Sequence, residues 1–459
     1  MDIHSAKKIY CIGIGGIGLS ALAQILLTRG KEVYGSDATH SAVIEKLQSA
    51  GAKVKITEDP KDIPKDTDLI IYSAAVPEDH KQRQKARQAL IPEIVYPQAL
   101  GQLLRRAELS IAVSGTNGKT TTTAMIGLLL EAAGLDPTVI VGSVVKQWGS
   151  NARAGKNNVM VVEACEHKAH MLHLQPNVIV LTNIEEDHLD FYKNIQHIQA
   201  TFEKYIKVLP QHGWLFLNND DEISREKLKR PQTQIRTFGI DRAADTQGKN
   251  IVYLDGKQNF EWWFQEKYID DIDLQVPGKF NVANALASIS VGTALGIETD
   301  VIKKSLENFA GTWRRFETVG QWQGARIISD YAHHPTALEQ TLRATKEMYG
   351  DRRVITVFQP HQHNRTKKLF TGFVESLLKA DNLIIPEIFH VEGREDDSDV
   401  SSKDLVEAIT KKGTPAVYAA DLSQTEKILK KTVQAGDVIL MMGAGDIYTL
   451  AEKLCQKKS

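Results

Sequence analysis

Cysteine is scarce in this chain. Cys11, Cys165 and Cys455 are its three cysteines, and no two stand at a paired spacing. That excludes a disulfide framework and a zinc knuckle and fits a reducing compartment. An excess of one charge is lacking as well: 56 Lys and Arg face 57 Asp and Glu, a formal net charge of -1. No bulk field draws the chain to nucleic acid or an anionic membrane, so an anion site has to be built locally, in loops. No apolar run approaches the roughly 20 residues that span a bilayer. The polar residues 1–8 lead directly into Ile9-Tyr10-Cys11-Ile12, leaving no segment of signal-peptide length. Internal repeats and low-complexity tracts are also missing, which excludes solenoids and long linkers. These absences predict a cytoplasmic protein with neither nucleic-acid nor membrane partners. They leave the oligomeric state open.

What is present is ordinary globular material, 42% hydrophobic and 25% charged over 459 residues. At roughly 100–200 residues per domain, that length predicts about three domains. Residues 8–12, 32–34 and 68–72 read as strands, and 20–27 and 42–50 as helices. Such alternation predicts a parallel sheet. A polar, proline-bearing stretch at 91–98 and Arg105-Arg106 read as a connection to a new strand at 109–113. Strands at 159–162 and 178–181 follow, then an irregular polar region at 230–248 and a β-rich stretch at 251–276, where Trp262-Trp263 reads as sheet packing. A last unit opens near 318–324, with strands at 326–328, 353–357, 382–385 and 438–442 and a helix at 337–348.

Two glycine-rich loops stand at strand-to-helix turns. Gly13-Ile14-Gly15-Gly16-Ile17-Gly18 has Asp37 at the end of the next strand. Glycines there let the backbone approach a diphosphate at a helix N-terminus, and the acid reaches a ribose hydroxyl. The plainer alternative is that these glycines only permit close helix packing. The second loop, Gly115-Thr116-Asn117-Gly118-Lys119-Thr120, is the sharper signal, because it offers backbone donors, a mobile cation and a hydroxyl for magnesium together. It is shorter than the standard phosphate loop, with Val113 where the usual first glycine stands. The following Thr121, Thr122 and Thr123 add capping hydroxyls.

Glu163 follows one strand and His188 lies beyond another. In a parallel sheet the C-terminal strand ends share an edge, so both are expected near phosphates held by Lys119 and Thr120, with Thr120, Glu163 and His188 as ligands of Mg2+. Glu185, Glu186 and Asp187 read equally well as a solvated turn. In the last unit, His333-His334-Pro335 and His361-Gln362-His363-Asn364-Arg365 each follow a strand. They match no standard zinc spacing. Arg365 suits a substrate carboxylate because its planar fork donates two bonds; a surface salt bridge is the alternative.

Taken together these motifs resemble the Mur ligase family, and within it the alanine-adding branch, along nearly the whole chain. The stretch 12–20, Gly35-Ser36-Asp37 and Tyr72-Ser73-Ala74-Ala75-Val76 look like the family's UDP-sugar-binding first domain. The resemblance therefore implies Gly15, Gly16, Ile17, Gly18, Ser36, Asp37, Ser73 and Ala74 at the sugar nucleotide, joined by Thr182-Asn183, which matches a substrate-facing turn. It implies Gly115, Thr116, Asn117, Gly118, Lys119, Thr120 and Thr121 at ATP. Asn281 and Asn284 resemble its adenine-contact segment, and Arg315 lies in an Arg-Arg-Phe like the one that closes the central domain. Asp330-Tyr331-Ala332-His333-His334-Pro335, 358–361 and 443–446 look like its third-domain signatures. This implies Asp330 at ATP and Tyr331, His333, His361 and Arg365 at the amino acid. Four positions depart from the pattern: Asn117 and Phe280 replace usual histidines, Gln362 an arginine and Cys165 an aspartate.

The implied fold is α/β in three domains: a Rossmann-like, UDP-sugar-binding N-terminal domain (1–107), a central P-loop ATPase-like domain (108–317) and a Rossmann-like, amino-acid-binding C-terminal domain (318–459). The implied reaction is ATP- and Mg2+-dependent ligation of L-alanine to the carboxylate of UDP-N-acetylmuramate through an acyl phosphate, in peptidoglycan precursor synthesis. Lys119, Glu163, His188 and His333 are the expected catalytic groups. The alternatives are a related ligase adding a peptide, glycine or serine, an NAD-dependent dehydrogenase, and a nucleotide-binding regulator.

Overall fold

The computed structural model describes residues 2–189, 191–390 and 399–456. Three sheets follow one another along the chain. The first has five parallel strands in the order Lys53–Ile56, Glu32–Asp37, Lys8–Ile12, Leu69–Tyr72, Glu93–Val95. The order reverses at Lys8–Ile12, so the crevice of this unit opens beyond that strand, where the first glycine loop begins. The stretch read as a connection at 91–98 instead supplies the fifth strand and the start of a helix, Tyr96–Leu104. Pro97 sits in that helix's first turn, where its missing N–H leaves no bond unmade.

The second sheet has ten strands. Leu109–Ser114 lies between Val178–Leu181 and Val159–Ala164, all parallel. Trp214–Asn218 and Gln234–Gly239 extend one side, and Thr138–Val145 and Ser150–Arg153 the other. An antiparallel ribbon, Thr246–Leu254, Lys257–Phe264 and Lys267–Leu274, forms one edge. Two of these strands run through the region read as irregular. Its polar residues find partners across the sheet: the Arg236 guanidinium lies 5.0 Å from the Trp214 ring centroid and 5.4 Å from that of Phe264. Such cation–π contacts have no local signature in a sequence. Trp262 is buried and Trp263 carries the Lys249 ammonium 4.0 Å from its ring centroid, so the pair packs the sheet as expected.

The third sheet runs Glu317–Trp322, Ala325–Asp330, Val438–Met442, Val354–Phe358, Asn382–Pro386, Ala416–Ala419. Its first strand is antiparallel and the rest are parallel. That hairpin turns on Gln323 and Gly324, with φ of 51° and 75°, the conformation that matches strand twist. Its first strand begins at Glu317 and so crosses the division expected after 317.

One apolar cluster joins the first unit to a face of the central sheet, with Leu100 and Leu103 sharing it with Met171 and Leu174. The third sheet is packed between two clusters of its own. Among the described residues, no helix is long and apolar enough to cross a membrane.

Candidate active site

The central strand Leu109–Ser114 runs buried into the second glycine loop, and the helix Lys119–Ala132 starts directly after Gly118. Gly115 and Gly118 take φ of 132° and 84°. A Cβ on Gly115 would stand 2.1 Å from the Thr182 hydroxyl, and one on Gly118 2.5 Å from Asn284 Oδ1. Both positions therefore exclude a side chain on conformation and on space.

Thr182 and Asn183 brace this loop. The Thr182 hydroxyl donates to Asn117 O (2.6 Å), the Asn117 N–H donates to Asn183 Oδ1 (2.9 Å), and the Thr116 N–H donates to Asn183 O (2.9 Å). They also line the cleft onto which this loop opens, and among the described residues they lie apart from the first glycine loop. They follow the neighbouring parallel strand, Val178–Leu181, whose register puts Leu181 opposite Ser114.

Lys119 lies folded onto its own loop. Its ammonium donates to the carbonyls of Gly115 and Thr116 and pairs with Glu166 Oε2 at 2.9 Å. His188 Nε2 stands 3.5 Å from the other Glu166 oxygen. Glu163 instead accepts from the Gly142 N–H (2.6 Å) and lies beside Thr120. The expected convergence of Glu163 and His188 is thus divided: Glu163 meets Thr120, while His188 meets Lys119 through Glu166. Burial opposes charge on both members of the Lys119–Glu166 pair, but their mutual attraction outweighs it, raising the ammonium and lowering the carboxyl. Burial holds the Glu163 carboxyl above its ordinary range against Gly142, Lys119 and Arg315.

The loop opens on a cleft of about 360 Å3 between the central and third units. Asn117, Gly118, Thr120, Thr121, Asn284, Arg315, Asp330, Tyr331 and His333 line it, as do Thr182 and Asn183. Arg315 reaches Thr120 Oγ1 at 3.4 Å and lies 4.8 Å from the centroid of the Tyr331 ring. Asn281 does not line the cleft; its amide donates to Pro277 O (2.7 Å) and its oxygen accepts from Asn284, ordering the helix start. The Asp330 carboxylate is spent on the N–H groups of Phe316 and Ala332, both at 2.7 Å, which ties the linker to the third sheet. Asp220, Lys279, Gln340 and Arg343 also line the cleft and carry no motif that would announce them.

The third unit brings its predicted residues together. The His333 ring lies 5.2 Å from that of Tyr331 and 6.4 Å from that of His361, and Arg365 is 3.3 Å from His361 Nδ1. Arg365 also donates to Asp187 Oδ1 at 3.0 Å, with both side chains nearly buried. Burial would raise the Asp187 carboxyl, but the Arg365 guanidinium above all holds it well below the usual range. The turn read as solvated is therefore a docking point. His334 Nε2 meets Glu186 O at 2.9 Å and Lys368 donates to Leu189 O at 2.7 Å.

The first glycine loop forms a separate cleft of about 460 Å3, lined by Gly15, Gly16, Ser36, Asp37 and Ser73, with Glu58 and His80 opposite. Asp37 accepts from the Gly15 N–H at 2.8 Å. The Ser36 hydroxyl is buried and donates to Gln82. Ile17, Gly18 and Ala74 do not line this cleft. Gly18 fits the plainer reading, since a Cβ there would stand 2.8 Å from the Tyr96 ring.

Comparison with known proteins places this geometry. The chain is 39% identical over 459 residues to a UDP-N-acetylmuramate–L-alanine ligase from Caldanaerobacter subterraneus subsp. tengcongensis, covering 100% of this chain and 99% of that one. The chain belongs to the Mur ligase family. The family's catalytic domain matches residues 8–108, the Mur ligase middle domain 113–292, and the glutamate ligase domain 314–445. A similarly named ligase from Clostridium tetani is 41% identical, covering 96% of each chain. Among solved structures, the UDP-N-acetylmuramate-alanine ligase of Thermotoga maritima superposes with a TM-score of 0.83 at 28% identity, covering 97% of this chain and 98% of that one.

Two of the four departures from the family pattern fall inside the main cleft. Asn117 and Phe280 both line the main cleft. Cys165 is a free, exposed thiol between Glu163 and Glu166. Gln362 takes φ of 68°, and its N–H donates to Phe389 O, fixing the turn that delivers Arg365.

Proposed function

We infer that this protein is an ATP-dependent ligase that joins L-alanine to the carboxylate of UDP-N-acetylmuramate, a cytoplasmic step of peptidoglycan precursor synthesis. The observation that carries the reading is the cleft itself. A phosphate loop of the central unit and the Tyr331–His333 segment of the third unit face one cavity. Full-length similarity to ligases named for this reaction supports it.

A carboxylate oxygen attacks the γ-phosphorus of ATP, the bond to the bridging oxygen breaks, and ADP leaves. The alanine nitrogen then attacks the acyl carbon, phosphate leaves, and the amine gives up a proton. Such phosphoryl transfer is catalysed mainly by positioning and electrostatics. Lys119 supplies charge once it turns from its own loop to the phosphates, and Arg315 adds a second cation near Thr120. Thr120 and Glu163, with His188 as a further donor, would hold a magnesium ion, which would neutralise phosphate charge there.

His333 is kept neutral by burial and Arg365. With Nδ1 facing the Tyr331 carbonyl at 2.9 Å, its Nε2 is free to take a hydrogen bond from the incoming amine. Domain closure over the cleft would keep water from the acyl phosphate. The divisions 1–107, 108–317 and 318–459 assign sugar nucleotide, ATP and amino acid to successive units.

The Asp187–Arg365 pair favours attention to a second amino acid, because the one arginine near Gln362 already holds a carboxylate. ADP release with UDP-N-acetylmuramate, measured with L-alanine, glycine and L-serine in turn, tests both points. L-Alanine should stimulate most. Stimulation by glycine or serine alone would move the substrate, and stimulation by none would overturn the reading.

A further inference from the structure

Glu166 is buried, at 2% exposure, at the back of the loop region, and its carboxylate is shared by two groups of the site. The Lys119 ammonium lies 3.0 Å from Oε1 and 2.9 Å from Oε2, and His188 Nε2 shares Oε1 at 3.5 Å. Its main chain is fixed as well: its carbonyl accepts from the Tyr192 hydroxyl at 2.5 Å and from the Ala169 N–H at 2.9 Å. A buried carboxylate is retained only where it is paired, and this one is paired entirely with residues of the phosphate site. The Lys119 ammonium is committed to two carbonyls of its own loop and to Glu166, so nucleotide phosphates must draw it off this carboxylate.

We propose that Glu166 is a positioning residue shared by Lys119 and His188. Before nucleotide arrives it holds the lysine against the loop. Once the phosphates take the ammonium, Glu166 is left facing His188 and fixes the orientation of that ring beside the transferring group. The inference rests on the reading of residues 115–120 as the ATP loop and deepens it. Glu166 touches neither nucleotide nor substrate in this scheme, and its effect runs through its two partners.

The two halves predict opposite changes in one variant. In Glu166→Gln the lysine loses its competing counter-ion, so ADP and a β,γ-methylene ATP analogue should bind about tenfold more tightly in calorimetry without magnesium, a change typical of one charged hydrogen bond. The same variant should lose about tenfold or more in kcat, because His188 is no longer oriented. A merely structural residue would lower melting temperature and both parameters together. Unchanged nucleotide affinity, or weaker affinity, in a folded variant overturns the proposal. So does an unchanged kcat. Wild-type protein that binds neither nucleotide would instead overturn the reading of the loop, which separates the two failures. Should Glu166→Gln not fold, Glu166→Asp reads the same quantities. The shorter acid reaches only one partner, so either nucleotide binding tightens or kcat falls, and a variant with both unchanged sinks the idea.

Discussion

The two glycine loops of this molecule begin alike and end in opposite charge. Each follows a buried parallel strand and opens a helix, yet the first is answered by a carboxylate and the second by an ammonium. At the first, Asp37 already occupies the Gly15 N–H, so the loop's donor is spent inside the protein. At the second, Lys119 and the helix start sit where strands of the central sheet deliver Glu163, Glu166 and the 182–188 turn. The difference shows that a glycine pattern specifies a backbone path. Which anion, if any, comes to the loop is decided by the side chains that neighbouring strands bring beside it.

The largest effect should come from removing the cation that distinguishes the second loop. Lys119→Ala is expected to reduce ADP release by about 10^3-fold, as for loss of a group that stabilises transition-state charge. UDP-N-acetylmuramate binding by calorimetry should stay within about twofold, because we assign the sugar nucleotide to the other loop. Loss of both would mean that the loops serve one ligand.

A matched pair of glycine variants sharpens the contrast. Gly115→Ala sets a Cβ 2.1 Å from Thr182 Oγ1 at φ of 132°, so nucleotide binding should be lost. Gly15→Ala meets the end of Asp37, 2.9 Å away, which can swing aside. It should cost about 1–2 kcal/mol in stability, measured by denaturant unfolding. The KM for the sugar nucleotide should rise while that for ATP stays put. Equal effects of the two variants on ATP would break the distinction.

The smallest effect concerns the tie between the central and third units. Asp187 is held below its ordinary range, so it adds stability that is complete above the unfolded value, near pH 4, and fades as pH falls towards the folded value. Asp187→Asn should therefore lower the melting temperature at pH 7, at a cost of about 1–3 kcal/mol. It should also flatten the fall in melting temperature below about pH 4. An acid limb as steep as that of the wild type would show that the pair contributes nothing.

Much of this was legible in advance. Strand-to-helix alternation announced the parallel sheets, and the short glycine loop with Lys119 and Thr120 announced the strand-to-helix turn on which the main cleft opens, because both signals are local in the chain. The family resemblance correctly anticipated an α/β fold in three parts. What failed to show was what depends on distant partners. The strand at 234–239 was unreadable because Arg236 is accommodated by Trp214 and Phe264. The strand at 93–95 hid among polar and proline residues whose role appears only when Leu69–Tyr72 pairs beside it.

By itself, then, the sequence determined the class of fold, the position of both loops and the residue types of the site, since these follow from periodicity and from backbone conformations that only glycine allows. Tertiary structure alone decided the pairings: Thr182 and Asn183 to the second glycine loop, Glu166 to Lys119 and His188, Asp187 to Arg365. Those assignments join residues from 22 positions apart, Glu166 to His188, to 178 apart, Asp187 to Arg365, and a carboxylate's partner is set by which strand ends the sheet register brings within hydrogen-bond reach.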